Sequence, residues 1–429
     1  MVHSDPQLTD NIDLSVPEGN VEILWHRNEL NGERAGAKGN GIAGNGTIAA
    51  CTFNGTRDNL VIYDYDGNRI WTSGDMLNAV AVSSTPMVSI DEDNKVIACD
   101  NQTILMVKVN PDDYNKNEVV WKKKIPYARQ GVLVPFSPTI VNDEIIILPT
   151  NGPIYAFDAD TGKLLAQKYL GSDEIGGKGC FSTINSACVN GSKVYIITEY
   201  HKSTFRPRII QNARLYAVYI NPDAGNKREI LTEAWYYPFR GRSQASPLFI
   251  DNTIYFDGYI PGLGLLKKPY IYAITDLGDD YEEKWKVQYP HRTWFSFSKD
   301  PRGGFWYEDL RGRKLVRFAE KNGSIIEEIQ IKKIIPKGEL ARYYPMSCMT
   351  ICDKKHPVML ISAISFWPRQ YVIAIDLKKD NSIRWWIQIN GWNYAGGQFT
   401  ILRKDNDHCK NRVVFGTYWD GVMAIGAAD

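Results

Sequence analysis

Net charge is almost absent from this 429-residue chain, in which 50 Lys and Arg face 49 Asp and Glu. That balance excludes the overall basic footprint of a nucleic-acid binder, so no nucleic-acid partner is expected. Long apolar runs are missing too. None approaches the ~18 residues that a membrane-spanning helix requires, and no membrane span is expected. Cysteine is sparse: Cys51, Cys99, Cys180, Cys188, Cys348, Cys352 and Cys409 show no CxxC spacing and no adjacent pair. This excludes a zinc knuckle and an attached c-type haem, and the seven read as small buried apolar side chains. Residues 1–20 lack the basic-then-apolar order of a secretory leader. The sequence as it stands therefore reads as cytoplasmic, or as periplasmic or secreted had a leader been removed. GxSxG, HExxH and Walker A patterns are absent, no metal-ligating set stands out, and helical periodicity is scarce.

Aromatic residues are abundant, with 12 Trp, 24 Tyr and 15 Phe, and so is Gly, with 35. They punctuate short β-rich runs such as VIYDYDGNRIW and TIYFDGY. Aligned on a late tryptophan, the runs repeat at Trp25, Trp71, Trp121, Trp235, Trp285 and Trp385, at spacings of 46, 50, 114, 50 and 100 residues. The two double gaps each hold a degenerate copy, with Ala166 and Glu327 where tryptophan is due. Each unit opens with a small-residue strand (SSTP, FSPT, ASPL), continues through two apolar strands and ends on the tryptophan strand. Four antiparallel strands at this period predict a propeller blade. The last unit supplies three strands, and VEILW at the start is an orphan fourth. The expected fold is thus an all-β, eight-bladed propeller at 21–429, closed by its N-terminal strand and preceded by a polar tail at 1–20.

The run YAFDADTGKLL at 155–165 resembles the A-x-D-x-x-T-G-x-x-x-W motif of the PQQ-like repeat, in the quinoprotein alcohol dehydrogenase-like superfamily. The resemblance implies that the fourth-strand tryptophans dock each blade on its neighbour. It also implies a possible pyrroloquinoline quinone (PQQ) and Ca²⁺ dehydrogenase. The adjacent cysteine pair of those enzymes is missing here, which disfavours that cofactor and leaves the cofactor unknown.

In such a ring the linkers between blades crowd one face around the channel. Here they carry Arg129, Arg240, Arg242, Arg292 and Arg342 with Trp294, Tyr343, Trp392 and Tyr394. Guanidinium forks bind carboxylate, sulfate or phosphate, and aromatic faces sandwich a planar body. These residues are the expected binding set for a small anionic or aromatic ligand. On the same face the second strands of three successive blades end in Glu199, Asp257 and Glu308, which with His291 form the candidate acid–base set. The long segments at 199–213 and 257–269 are the expected contact with a protein partner, if the chain is a scaffold rather than a ligand binder.

Overall fold

In the computed structural model the tryptophan-marked runs form eight antiparallel sheets, counted among the described residues, with strands in sequence order. Blades 1 to 7 span 42–72, 87–124, 139–168, 181–239, 248–288, 298–330 and 344–390. Blade 8 joins 395–427 to Val21–Arg27. The structure describes all residues except 1–6, 9, 28, 31–32, 35–41, 44–45, 52–59, 78–86, 89–94, 101, 111–112, 127–137, 151, 172–180, 184, 201–212, 244, 261–267, 294, 335–343, 346, 348, 365–368, 391–394, 404–409, 418–420 and 429. Ring closure takes the expected form, antiparallel from Val21 opposite Ala427 to Arg27 opposite Val422. Among the described residues no helix is long and apolar enough to cross a membrane.

Blade 5 shows why the strands are so uniformly apolar. Alternate residues of its second strand, Thr253–Gly258, face opposite neighbours. Ile254 and Phe256 pack with Tyr195 and Ile197 of blade 4, whereas Tyr255 packs with Phe305 and Tyr307 of blade 6. With both faces covered, the strand has no side left for solvated residues.

Tryptophans latch a blade to the next at several junctions. Trp25 Nε1 donates to Tyr65 O at 3.1 Å, Trp121 to Ala159 O at 2.9 Å and Trp285 to Glu320 O at 2.9 Å, each in the turn before the following blade's last strand. That turn needs glycine. A Cβ on Gly162, whose φ is +64°, would lie 2.6 Å from the Trp121 ring. Every blade carries a bulge beside the latch position, including the two without tryptophan. Ala166 pairs with Ala156 there, and Glu327 with Arg317. At the blade 6–7 junction Glu327 makes a polar latch instead. It takes a 2.5 Å hydrogen bond from Asn381 Nδ2 and pairs with Arg302 and Arg317, which also pair with buried Asp300.

Around the channel, the small residues of the opening strands form a hydroxyl hoop. Ser246 Oγ accepts from Ser186 N at 3.3 Å and Ser296 Oγ from Ser246 N at 3.1 Å. Ser298 Oγ donates to Met349 O, and Thr350 Oγ1 accepts from Phe399 N at 3.1 Å.

Residues 7–8 and 10–18 run across blades 5 to 8, at the ends opposite the tips of the second strands. Phe249 N donates to Gln7 O at 3.1 Å, and Asn11 Nδ2 donates to Lys299 O at 2.9 Å. Asn11–Ile12 adds a parallel strand beside Ile351–Cys352, and Trp385 latches onto Pro17 O at 2.8 Å. Leu8 and Val16 are buried.

Candidate functional site

The site is assembled from two linkers and two strand tips between blades 5 and 6. In the first linker Gly241, at φ +98°, lies so close to blade 5 that a Cβ would meet Tyr259 O at 2.1 Å. This approach lets Arg242 exchange backbone hydrogen bonds with Tyr259 at 3.0 and 2.9 Å. It also brings Arg242 Nε to the Tyr259 hydroxyl at 3.0 Å. From the second linker the Arg292 guanidinium lies 4.6 Å from the same ring's centroid, and that of Arg242 lies 5.6 Å away. Two cations thus share one aromatic platform.

Beneath them is Asp257, fully buried. Its Oδ1 accepts from Ser243 Oγ at 2.6 Å, and Oδ2 is buried without a hydrogen-bond partner. Burial pushes its pKa up to about 7, against the opposing pull of Ser243 and Arg292. Near neutrality the carboxyl is therefore divided between acid and carboxylate. Ser243 is held in place by its own turn, accepting from Ala245 N at 3.1 Å. Thr293 does the same with Phe295 N at 3.0 Å, and its hydroxyl reaches Glu308 Oε2 at 3.5 Å.

On the blade 6 side, His291 Nδ1 lies 2.8 Å from Asp309 Oδ1. Tyr307 stands between the two carboxylates. Burial, then the charges of Asp257 and Asp309, hold its phenol far above the ordinary range. It donates to His291 O at 2.7 Å.

The structure therefore brings together Arg242, Arg292, Asp257 and His291 from the expected set. Glu199 faces the adjoining junction between blades 4 and 5, as the alternation from Tyr195 and Ile197 requires. Its Oε1 is buried without a partner, and burial raises its pKa to about 7, opposed by Arg242. Glu308, one residue from Asp309, has the parity of Trp306 and faces blade 7. Arg240 is exposed. Arg129, Trp294, Arg342, Tyr343, Trp392 and Tyr394 lie outside the described residues, as do the centres of the 199–213 and 257–269 segments. Sequence reasoning placed Asp309 beside Glu308 at the same strand end, among the candidate acid–base carboxylates, and assigned no role to Tyr259, Ser243 or Tyr289. The signal for Ser243 was the repeated S/T-x-x-S of T-I-N-S, S-Q-A-S and T-W-F-S at 183, 243 and 293.

Among solved structures, a quinohemoprotein alcohol dehydrogenase from Comamonas testosteroni superposes with a TM-score of 0.62 at 10% identity, over 100% of this chain and 80% of that one. Another from Pseudomonas putida HK5 gives 0.59 at 12%, again over 100% and 80%. BamB from Moraxella catarrhalis gives 0.52 at 10%, over 96% and 99%. At such identities the likeness shows the fold alone. No curated protein matches the chain in sequence. The blades, their latches and the ring closure define a PQQ-like propeller. Residues 15–217 match the family model described as outer membrane protein assembly factor BamB, and the chain has the fold of an eight-bladed PQQ-like propeller.

The sequence has no adjacent cysteine pair, and among the described residues no three His, Cys, Asp or Glu side chains gather as ligands for a hard cation.

Proposed function

We propose that this propeller binds a small organic anion, planar or aromatic in body, between the tips of blades 5 and 6. Arg242 and Arg292 take the anionic group, Tyr259 offers its ring, and Asp257 with His291 handles protons. The observation that carries this reading is a buried carboxyl oxygen without a partner, set beneath two guanidinium groups stacked on one tyrosine. A buried polar atom left unpaired costs about 1–3 kcal/mol, and a ligand hydroxyl or carboxylate would recover it.

The test is a thermal-shift and calorimetric screen with benzoate, 4-hydroxybenzoate, phenyl sulfate and phenyl phosphate. Ligand at 100 times its Kd adds about 2.7 kcal/mol to stability. The double variant Arg242→Ala, Arg292→Ala should lose that shift, whereas Lys354→Ala on the far surface should keep it. Equal binding by the double variant would refute the reading.

The match of residues 15–217 to an assembly-factor model supports a second reading, a scaffold that grips a protein through 199–213 and 257–269. No shift with any anion, together with crosslinking of a partner to those segments, would favour it.

A further inference from the structure

His291 is held as well as flanked by its carboxylate. Nδ1 lies 2.8 Å from Asp309 Oδ1 and 3.1 Å from Oδ2. Asp309 is itself fixed. Tyr289 OH donates to Oδ2 at 2.9 Å and Gly312 N donates to Oδ1 at 2.7 Å. A Cβ at Gly312 would lie 2.2 Å from Asp309 Oδ2, so the turn carries glycine where the carboxylate needs the room. Burial and then the Asp309 charge hold the Tyr289 phenol well above its ordinary range, which keeps it a donor. An ionised carboxylate only accepts, so the ring atom facing it must carry a hydrogen. The lone pair of the neutral ring then sits on Nε2, on the opposite edge. The side chain is 34% exposed, against 1% for Asp309, and Nε2 has no hydrogen bond among the described residues.

We propose that Asp309 is a positioning residue that fixes His291 as the Nδ1–H tautomer and so makes Nε2 the general base toward the anion held by Arg242 and Arg292. For His291 the step is a proton transfer alone. Nε2 takes the proton of a ligand hydroxyl, or of a water whose oxygen bonds to the ester centre of the anion as the bond to the ester oxygen breaks; the imidazolium that forms is balanced by Asp309, and Nε2 returns the proton to solvent or to that leaving oxygen. The substrate class is therefore an organic anion that bears a hydroxyl or a hydrolysable bond. This role for Nε2 rests on the ligand reading above, but the tautomer does not.

The experiment is a long-range proton–nitrogen correlation on the full chain labelled with 15N-histidine, at a pH where the ring is neutral. His291→Gln assigns the signal. The wild type should show the Nδ1–H pattern. Asp309→Asn, whose amide can donate to Nδ1, should lose it, and Tyr289→Phe should keep it. Carbethoxylation at His291, followed by peptide mass, should slow on the order of tenfold or more in Asp309→Asn, because the wrong tautomer presents no lone pair. An Nε2–H pattern in the wild type would overturn the proposal, and so would an unchanged spectrum in Asp309→Asn. Should that variant fail to fold, the wild-type spectrum decides. An Nδ1–H pattern without any anion binding would sink the ligand reading and leave the orientation standing.

Discussion

Replacing Asp257 with asparagine should change the sign of its effect on stability between pH 4 and pH 9. The carboxyl is buried, with one oxygen on Ser243 and the other unpartnered. Its folded value of about 7 lies above the ~3.9 of an unfolded aspartate. The folded chain thus binds this proton more tightly than the unfolded one. The contribution is fully present below about pH 4 and is lost as pH rises through about 7. Roughly three pH units at 1.36 kcal/mol each make the ionised group about 4 kcal/mol worse at pH 9 than the acid at low pH. Asparagine has nearly the same shape and never ionises, but its NH₂ takes the place of the unpartnered oxygen, at about 1–3 kcal/mol. At about pH 4 and below the variant should therefore be less stable by that amount. At pH 9 it should be more stable by about 1–3 kcal/mol. Unfolding entropy near 2.1 cal/mol/K per residue gives about 0.9 kcal/mol/K for a chain this long. The wild-type-minus-variant Tm difference should accordingly swing by about 4 °C across the pH range, read by circular dichroism in matched buffers. A difference of constant sign and size would refute the reasoning, because it would mean that the carboxyl is ionised in both states throughout.

Two further expectations concern the frame. Trp121→Ala removes a buried latch and its hydrogen bond to Ala159, and should cost about 3–5 kcal/mol, a fall of roughly 3–5 °C in Tm. A loss below ~1 kcal/mol would show that the latch is dispensable. Deleting residues 1–16 takes away buried Leu8 and Val16, each worth about 2 kcal/mol, and uncovers the first strand of blade 7. Cys188, clustered with Leu8, and Cys352, paired with Ile12, are buried cysteines. Both should become reactive toward Ellman's reagent in the truncated chain, and unchanged labelling would contradict the covering role.

The fold was legible because its period is written in the largest side chains. A tryptophan that docks on the next blade cannot drift in register, so Trp25 to Trp385 mark the blades even where Ala166 and Glu327 interrupt them. The residues of the site were half legible. Arg242, Arg292 and His291 stand in linkers whose composition is visible, and Asp257 ends a strand. The interface that each carboxylate faces depends on strand parity, which the tips at Asp257, Glu308 and Asp309 leave open until the bulge and pairing are known. Asp309 and Glu308 are neighbours in sequence, yet they look toward different blades. Tyr259 and Tyr289 were hidden for another reason: one tyrosine among 24 carries no mark of which ring two arginines will share. The tail at 1–20 was read as polar because its few apolar residues, Leu8 and Val16 among them, follow no strand or helix period that would mark them as buried.

Closure by Val21–Arg27 has a consequence for how the molecule comes into being. Val21–Arg27 finds its partner, Val422–Ala427, only after all the residues between them have been made. At an elongation rate of roughly 5–20 residues per second that interval is tens of seconds. Throughout it both ends of the unfinished arc present unpaired strand edges, templates for joining another chain. Synthesis therefore produces a long-lived open arc, and its final seam is the contact of greatest sequence separation, the slowest kind to form.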